Sequence, residues 1–216
     1  MRLSSYWRSS SAWRVRIGLE YKGIAHELVF VHLSREGGEQ NRAEFSHKNP
    51  MGQVPVLEID GPRSVFRLTQ SLAILEYLEE TVPEPALLPI NPELRARARE
   101  LAEIVNSGIQ PLQNLRLLGE VKALGADPLP IPRAYIQKGL AALERHAGTC
   151  AGTYLVGDDV SFADLYLVPQ LYSARRYGVD LSPYPTLLRV EKACEALPAF
   201  QKAHANAQPD FDPNAK

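Results

Sequence analysis

The hydrophobic pattern opens as a short alternating stretch, breaks at a run of hydroxyls and resumes at helical spacing. Residues 2–6 (RLSSY) read as a strand, Ser9, Ser10 and Ser11 as a polar loop, and Trp13, Ile17 and Gly18 mark the helix that follows. Gly23 is its expected C-terminal stop. His26–His32 (HELVFVH) is β-rich and apolar at its centre, which predicts a strand buried on both faces. Strand, helix and strand in this order make a βαβ unit.

Between Ser34 and Asn49 the chain turns polar, with only a weak helical pattern from Gln40 to Phe45, and a mobile segment is expected there. Val54, Val56, Leu57 and Ile59 then read as a strand interrupted by Pro55, a residue that belongs at a strand edge or start because it cannot donate to the ladder. Asp60-Gly61 signals a turn, and Ser64–Leu68 completes a hairpin. In TQSLAILEYLEETVP the positions Leu75, Leu78 and Val82 follow helical spacing, with Ser71 at the expected N-cap and Pro83 ending the run. The order βαβ then ββα matches a thioredoxin-like α/β domain. A redox member of that fold carries Cys-x-x-Cys near residues 9–12; its absence here argues against disulfide exchange.

Pro83, Pro85, Pro89 and Pro92 make a stiff linker. Beyond it the pattern is helical: one long amphipathic run over 93–122, a second helix near 133–147, and a third opened by Ser161 and Asp164 at capping-box spacing, with Pro169 inside it. A last helix is expected near 186–197, followed by a disordered tail, QPDFDPNAK. The expected organisation is an α/β domain over 1–82, a linker over 83–90 and an all-α domain over 91–216.

Composition changes this picture little. The chain of 216 residues is 45% hydrophobic and 23% charged, with net charge −1. Residues 1–82 carry ten basic and ten acidic side chains, leaving 14 and 15 for the rest, so neither part has the excess that a nucleic acid or an anionic membrane would require. No run approaches a membrane span. Cys150 and Cys194 have no metal-ligand or redox spacing and read as structural thiols, so no metal is expected and the chain reads as cytoplasmic.

Candidate chemistry starts at WRSSSAWRVRIGL. A serine at a helix N-terminus is usually only a cap, yet the same donors and dipole favour a thiolate or phosphate. This stretch resembles the signature of the zeta-class glutathione transferases, SSC-x-W-R-V-R-I, with Ser11 where the family pattern usually has Cys. The resemblance continues through NPMGQVP, TQSLAILEYLEE, GIQPLQNLR, GDDVSFADLYLVPQ and RRYGVDLSPYPTL. It implies the glutathione transferase fold, glutathione as cofactor, a homodimer, and a cis bond at Val54-Pro55. It also assigns positions. Ser9, with Ser10 and Ser11 beside it, activates the thiol. Gln70 and Ser71 hold the γ-glutamyl carboxylate, and Gln53, Val54 and Pro55 meet the central peptide. Gln40 matches the glycyl end, while Gln110 and Asn114 match positions of the helical domain.

The activity implied is the isomerisation of maleylacetoacetate to fumarylacetoacetate, a step of tyrosine and phenylalanine breakdown. Its carboxylated substrate needs an anchor, for which Arg8 and Arg176 are the candidates because a guanidinium binds carboxylates in bidentate fashion. Arg175 reads as an exposed charge. Three alternatives stand beside this one: a maleylpyruvate isomerase, a detoxifying glutathione transferase, and a non-catalytic binding module of the same fold.

Overall fold

A computed structural model describes residues 1–214. In it β1 (Arg2–Ser5) leads through α1 (Ser10–Tyr21) to β2 (Glu27–Phe30), which pairs parallel to β1 with Leu3 opposite Leu28. Two 3-10 turns, at Arg35–Gly37 and Glu39–Asn41, and a single-turn α2 (Ala43–Ser46) carry the chain to β3 (Val56–Asp60). This strand starts immediately after Pro55 and runs antiparallel to β1, with β4 (Val65–Thr69) antiparallel on its far side. The sheet order is β2-β1-β3-β4. Helix α3 (Ser71–Thr81) follows directly.

Two expectations need correction here. β2 is not buried on both faces: it is an edge strand with one partner, and its four residues are half-buried or exposed. Nor is Ser71 an N-cap, since it is already the first helical residue and Gln70 precedes it in the left-handed region at φ +68°. Few non-glycine residues adopt that conformation, which costs on the order of 1–3 kcal/mol. The segment 34–49, expected to be mobile, is tied by several bonds, among them Glu39 accepting from the His32 N–H and Asn41 donating to the Gly37 carbonyl.

Helix α1 is the core of this unit, with every residue from Ala12 to Leu19 buried. It packs against α3 and ends at Gly23, whose φ of +65° suits glycine. Just before that stop, the fully buried Lys22 ammonium meets Glu79 at 2.7 Å and the carbonyls of Val82 and Pro85 at 2.7 and 2.9 Å. A buried charge without such partners would be strongly destabilising.

A second unit spans Ala86–Leu197 and is helical: α4 (Pro92–Asn106), α5 (Leu115–Ala123), α6 (Pro130–Cys150), α7 (Phe162–Arg176) and α8 (Pro185–Glu195). Helix α4 packs on α6 and α7, and α8 on both of those. The single run expected over 93–122 is broken, because Pro111 cannot extend a helix and the chain forms a 3-10 turn at Gln110–Gln113 instead. Gly139 of α6 lies so close to Ile109 that a Cβ would sit 2.2 Å from its side chain.

The C-terminus also departs from expectation. Residues from Pro198 onward cluster with residues 1–85 and not with the helical unit, which therefore stops near Leu197 instead of running to 216. Helix α9 (Pro198–Ala203) packs on α1. The described part of the expected disordered tail is held in place: the Asp210 carboxylate accepts from the Trp7 N–H at 2.9 Å, and the Phe211 ring stands edge-on to Trp7 at 5.0 Å. Composition marked this segment as solvated, but its aromatic and its acid both find partners beside β1. Residues 215 and 216 of that tail lie outside the described residues.

Candidate active site

Register alone assembles one end of the sheet. Ser4 lies opposite Val56, and Val56 opposite Thr69. The loop leaving β1, the loop entering β3 and the junction leaving β4 therefore emerge together. So does the chain after β2, which is parallel to β1, and the Tyr6 and His32 rings meet at a tilt with centroids 5.3 Å apart. Ser9–Ser11, Gln53–Pro55, Gln70–Ser71 and the segment carrying Gln40 thus belong to one edge of the first unit.

Ser9 caps α1, its Oγ accepting from the Ala12 N–H at 3.2 Å. A hydroxyl that accepts there keeps its own proton for another acceptor. Its N–H donates to the Tyr6 carbonyl at 3.0 Å, and its carbonyl accepts from Trp13 at 2.8 Å, so the backbone is fixed on both sides. Ser9, Ser10 and Ser11 are half-buried, and no acidic residue lies in the first turn. No acid of its own first turn therefore counters the positive end of the helix dipole. Ser11 Oγ accepts from Arg14 Nη2 at 2.8 Å, which places a guanidinium in the same turn.

The Val54-Pro55 bond is cis, as the resemblance implied, and Glu84-Pro85 is cis as well. Val54 is buried and Gln53 half-buried, with the Gln53 carbonyl accepting from Asn49 at 2.7 Å. Ser71 is buried in the first turn of α3. Gln40 donates to the Leu33 carbonyl at 3.1 Å while its Oε1 is buried with no protein partner. An acceptor left in that state is costly unless a ligand donates to it. Arg8 lies over the Trp7 ring at 5.3 Å.

Gln110, Asn114 and Arg176 belong to the second unit. Gln110 opens the 3-10 turn that Asn114 follows, and Asn114 caps α5 through the Arg116 N–H at 2.9 Å. Arg176 ends α7 against its neighbour Tyr177, its guanidinium 4.9 Å from the ring and 3.1 Å from the hydroxyl. Arg175 is not simply an exposed charge: it forms a two-pronged pair with the buried Glu191 carboxylate at 2.6 and 2.5 Å. That pair takes up the Arg175 fork, and it raises the guanidinium's already high affinity for its proton, chiefly through the hydrogen bond.

Sequence reasoning missed the buried arginines of α1. Arg14 and Arg16 are both 1% exposed, and Arg16 bonds Ser5 Oγ and the carbonyls of Tyr6, Trp7 and Ala203. Burial pulls the Arg16 guanidinium down to about 9, which still leaves it charged at neutral pH. A signal was present: residues two apart point to nearly opposite sides of a helix, so both arginines of WRVR cannot face water at once.

Among the described residues no cluster of three or more His, Cys, Asp or Glu is placed to hold a metal, and no helix is long and apolar enough to cross a membrane. Burial pushes the Cys194 thiol far above its ordinary range and raises Cys150 less, so neither is a ready nucleophile.

The N-terminal domain of the glutathione S-transferases matches residues 8–81, and their C-terminal domain matches residues 133–201. Maleylacetoacetate isomerase of Rattus norvegicus is 50% identical over 208 residues, covering 96% of this chain and 94% of its own. The structure of maleylacetoacetate isomerase from Anaeromyxobacter dehalogenans 2CP-1 with bound glutathione has a TM-score of 0.88 at 53% identity, covering 97% of this chain and 96% of that one. The holo structure of maleyl pyruvate isomerase, a bacterial zeta-class enzyme, has a TM-score of 0.91 at 42% identity, covering 98% and 100%.

Proposed function

The chain belongs to the glutathione S-transferase family, and from that premise we propose that it converts maleylacetoacetate to fumarylacetoacetate in a glutathione-dependent cis–trans isomerisation. The near full-length likeness to the rat isomerase carries this reading, and the first unit fits the cofactor it requires. The buried, unpartnered Gln40 Oε1 is an acceptor for a glycyl-end N–H. Ser71 and Gln70, at the N-terminus of α3, suit an α-carboxylate through dipole and hydrogen bonds. Val54, between Gln53 and Pro55, offers backbone to the central peptide as a miniature strand. Gln110 and Asn114 are assigned from the helical unit by resemblance.

Bound glutathione supplies a thiolate that adds to the conjugated double bond, lets it turn as a single bond and leaves unchanged. The protein's share begins with the proton. A free thiol has a pKa of about 8.5, and lowering it by two units takes roughly 2.7 kcal/mol of preferential stabilisation of the thiolate. The Ser9 hydroxyl, the N-terminus of α1 and the Arg14 guanidinium beside Ser11 are three sources of that stabilisation. Ser10 stands beside Ser9 in the same turn. Ser11 serves as a polar partner of Arg14, so no protein thiol is required there. Arg8 is assigned to the substrate carboxylate for its place beside the serine loop, and Arg176 of the helical unit is assigned to it by resemblance, since a guanidinium suits both a carboxylate and the oxyanion that develops during the reaction.

The same reading places the enzyme in tyrosine and phenylalanine breakdown, in the cytoplasm and as a homodimer. A monomer-sized particle in sedimentation would refute the last point. The likeness to maleyl pyruvate isomerase supports a second substrate, so both acids are assayed with and without glutathione. Glutathione-dependent turnover favouring maleylacetoacetate is the expected result. Turnover of neither acid, despite glutathione binding, would refute the proposal.

A further inference from the structure

Two charged side chains outside the proposed chemistry converge on the residues that lead into Ser9. Arg16 lies two helical turns beyond Ser9 and is fully buried, yet it points back along α1. Its Nη1 reaches the Tyr6 carbonyl at 3.2 Å and its Nη2 the Trp7 carbonyl at 3.0 Å. The Tyr6 carbonyl is the one that accepts from the Ser9 N–H, so Arg16 and Ser9 share an atom. From the opposite end of the chain, Asp210 Oδ2 takes the Trp7 N–H at 2.9 Å while Phe211 covers the Trp7 ring. The backbone polar groups of Trp7 are thus held by two elements, α1 on its carbonyl and the C-terminal segment on its N–H. Arg16 ties those elements together through the Ala203 carbonyl at 3.2 Å.

Stability gives a poor account of Asp210. Its second oxygen, Oδ1, is buried with no partner, and burial raises the carboxyl above its ordinary range, against the attraction of Arg16. A carboxylate in that state is a costly way to fasten a tail that Phe211 already packs. We infer that Arg16 and Asp210 are positioning residues, clamping the Tyr6–Trp7 peptide so that the Ser9 hydroxyl is held toward the reacting thiol. The inference rests on the glutathione-dependent reading of Ser9 given above. Its physical basis is that misplacing a reacting group by an ångström costs about a hundredfold in rate.

The test compares Asp210→Ala with Asp210→Asn, which keeps an acceptor for the Trp7 N–H, and with Gln208→Ala. Gln208 pins the same segment to the Lys202 and His204 carbonyls without touching Trp7. Three quantities are read: the pKa of the bound glutathione thiol from thiolate absorbance, kcat against the KM for glutathione, and amide exchange at Trp7 and Ser9 in the ligand-free protein. Asp210→Ala is expected to raise the thiol pKa by about one unit and to lower kcat about tenfold at nearly constant KM, with faster exchange at both amides. Asp210→Asn should stay within about threefold of the wild type, since it loses less than one typical hydrogen bond. Gln208→Ala should move all three readouts the same way by less, and it decides the matter if Asp210→Ala does not fold. A lower melting temperature with unchanged thiol pKa and kcat would overturn the clamp and leave the segment a purely structural strap. A wild type with an ordinary thiol pKa and no isomerisation would instead overturn the functional reading, with exchange at Trp7 and Ser9 still deciding the clamp.

Discussion

Two α-helices described here have a serine at the N-cap, α1 and α7, and only one of those ends is open. At α7, Ser161 is 1% exposed and Asp164 turns back over the helix end, its Oδ2 taking both the N–H and the hydroxyl of Ser161 at 2.8 and 2.9 Å. The other oxygen takes the Leu155 N–H at 2.8 Å. The acid and the Ser161 donors at that end are thus paired inside the fold, as is the Phe162 N–H, which donates to the Leu87 carbonyl at 3.0 Å. At α1, Ser9 also caps, but no acid follows it and the three serines stay half-buried at an edge where four loops meet. The helix termini carry the same dipole in both cases. What separates a cap from a site is whether the chain itself supplies the anion.

Removing the internal anion of α7 is the harshest way to break the comparison. Asp164→Ala leaves the Leu155 and Ser161 donors buried without partners, at roughly 1–3 kcal/mol for each, and should destabilise the protein by about 4 kcal/mol in urea unfolding. The same acid carries a pH signature. Desolvation pushes the Asp164 carboxyl up to about 6 in the folded protein. An unfolded aspartate lets its proton go near ~3.9. The contribution linked to that proton is complete below about pH 4 and is lost as the pH rises through about 6, a fall of ~3 kcal/mol. The stability difference between wild type and Asp164→Asn should therefore shrink by that amount between about pH 4 and pH 7; a flat difference would show that the acid is ionised throughout.

At the open end the consequence shifts from folding to rate. Ser9→Ala should lower kcat for isomerisation about a hundredfold or more, as the loss of one aimed donor does, while costing only about 1 kcal/mol of stability as a lost cap. Ser161→Ala should do the reverse, lowering the melting temperature without changing kcat per folded molecule, and a matching loss of rate in both variants would erase the distinction drawn here. The mildest change is Ser11→Cys, which restores the family pattern. It exchanges a hydroxyl acceptor of Arg14 for a weaker sulfur one, so steady-state kcat should hold while stability falls by about 1 kcal/mol.

Much of this contrast was legible in the residues. The capping box of α7 follows from Ser161 and Asp164 being three apart, and the βαβ–ββα order follows from periodicity and turn chemistry. The serine loop at the head of α1 was equally plain, whereas the strand read from Val54 through Pro55 begins only at Val56. What escaped depended on distant partners. HELVFVH is apolar enough for a central strand, and only the strand order makes it an edge. The helical period of 93–122 runs through Pro111, where local chemistry overrides it. Gln70, and not Ser71, occupies the cap position, because the strand pairing that ends at Thr69 fixes where α3 can begin. Asp210 and Phe211 looked solvated because their partner, Trp7, is about two hundred residues away in the chain. The roles assigned to Gln110, Asn114 and Arg176 rest on resemblance, since no local pattern distinguishes those side chains from other polar groups of the helical unit.

The return of α9 and the residues after it to the first unit has a consequence for how the protein is made. A unit built from residues 1–85 and from 198 onward is interrupted by 112 residues, 86–197, that belong to the other. At a synthesis rate of roughly 5–20 residues per second, the N-terminal sheet waits on the order of ten seconds for the helix that packs on α1. During that wait the buried face of α1 lacks one of its walls, and Arg16 and the Trp7 N–H lack their C-terminal partners. Of the two units, the α/β one starts to emerge before the helical one and is completed after it.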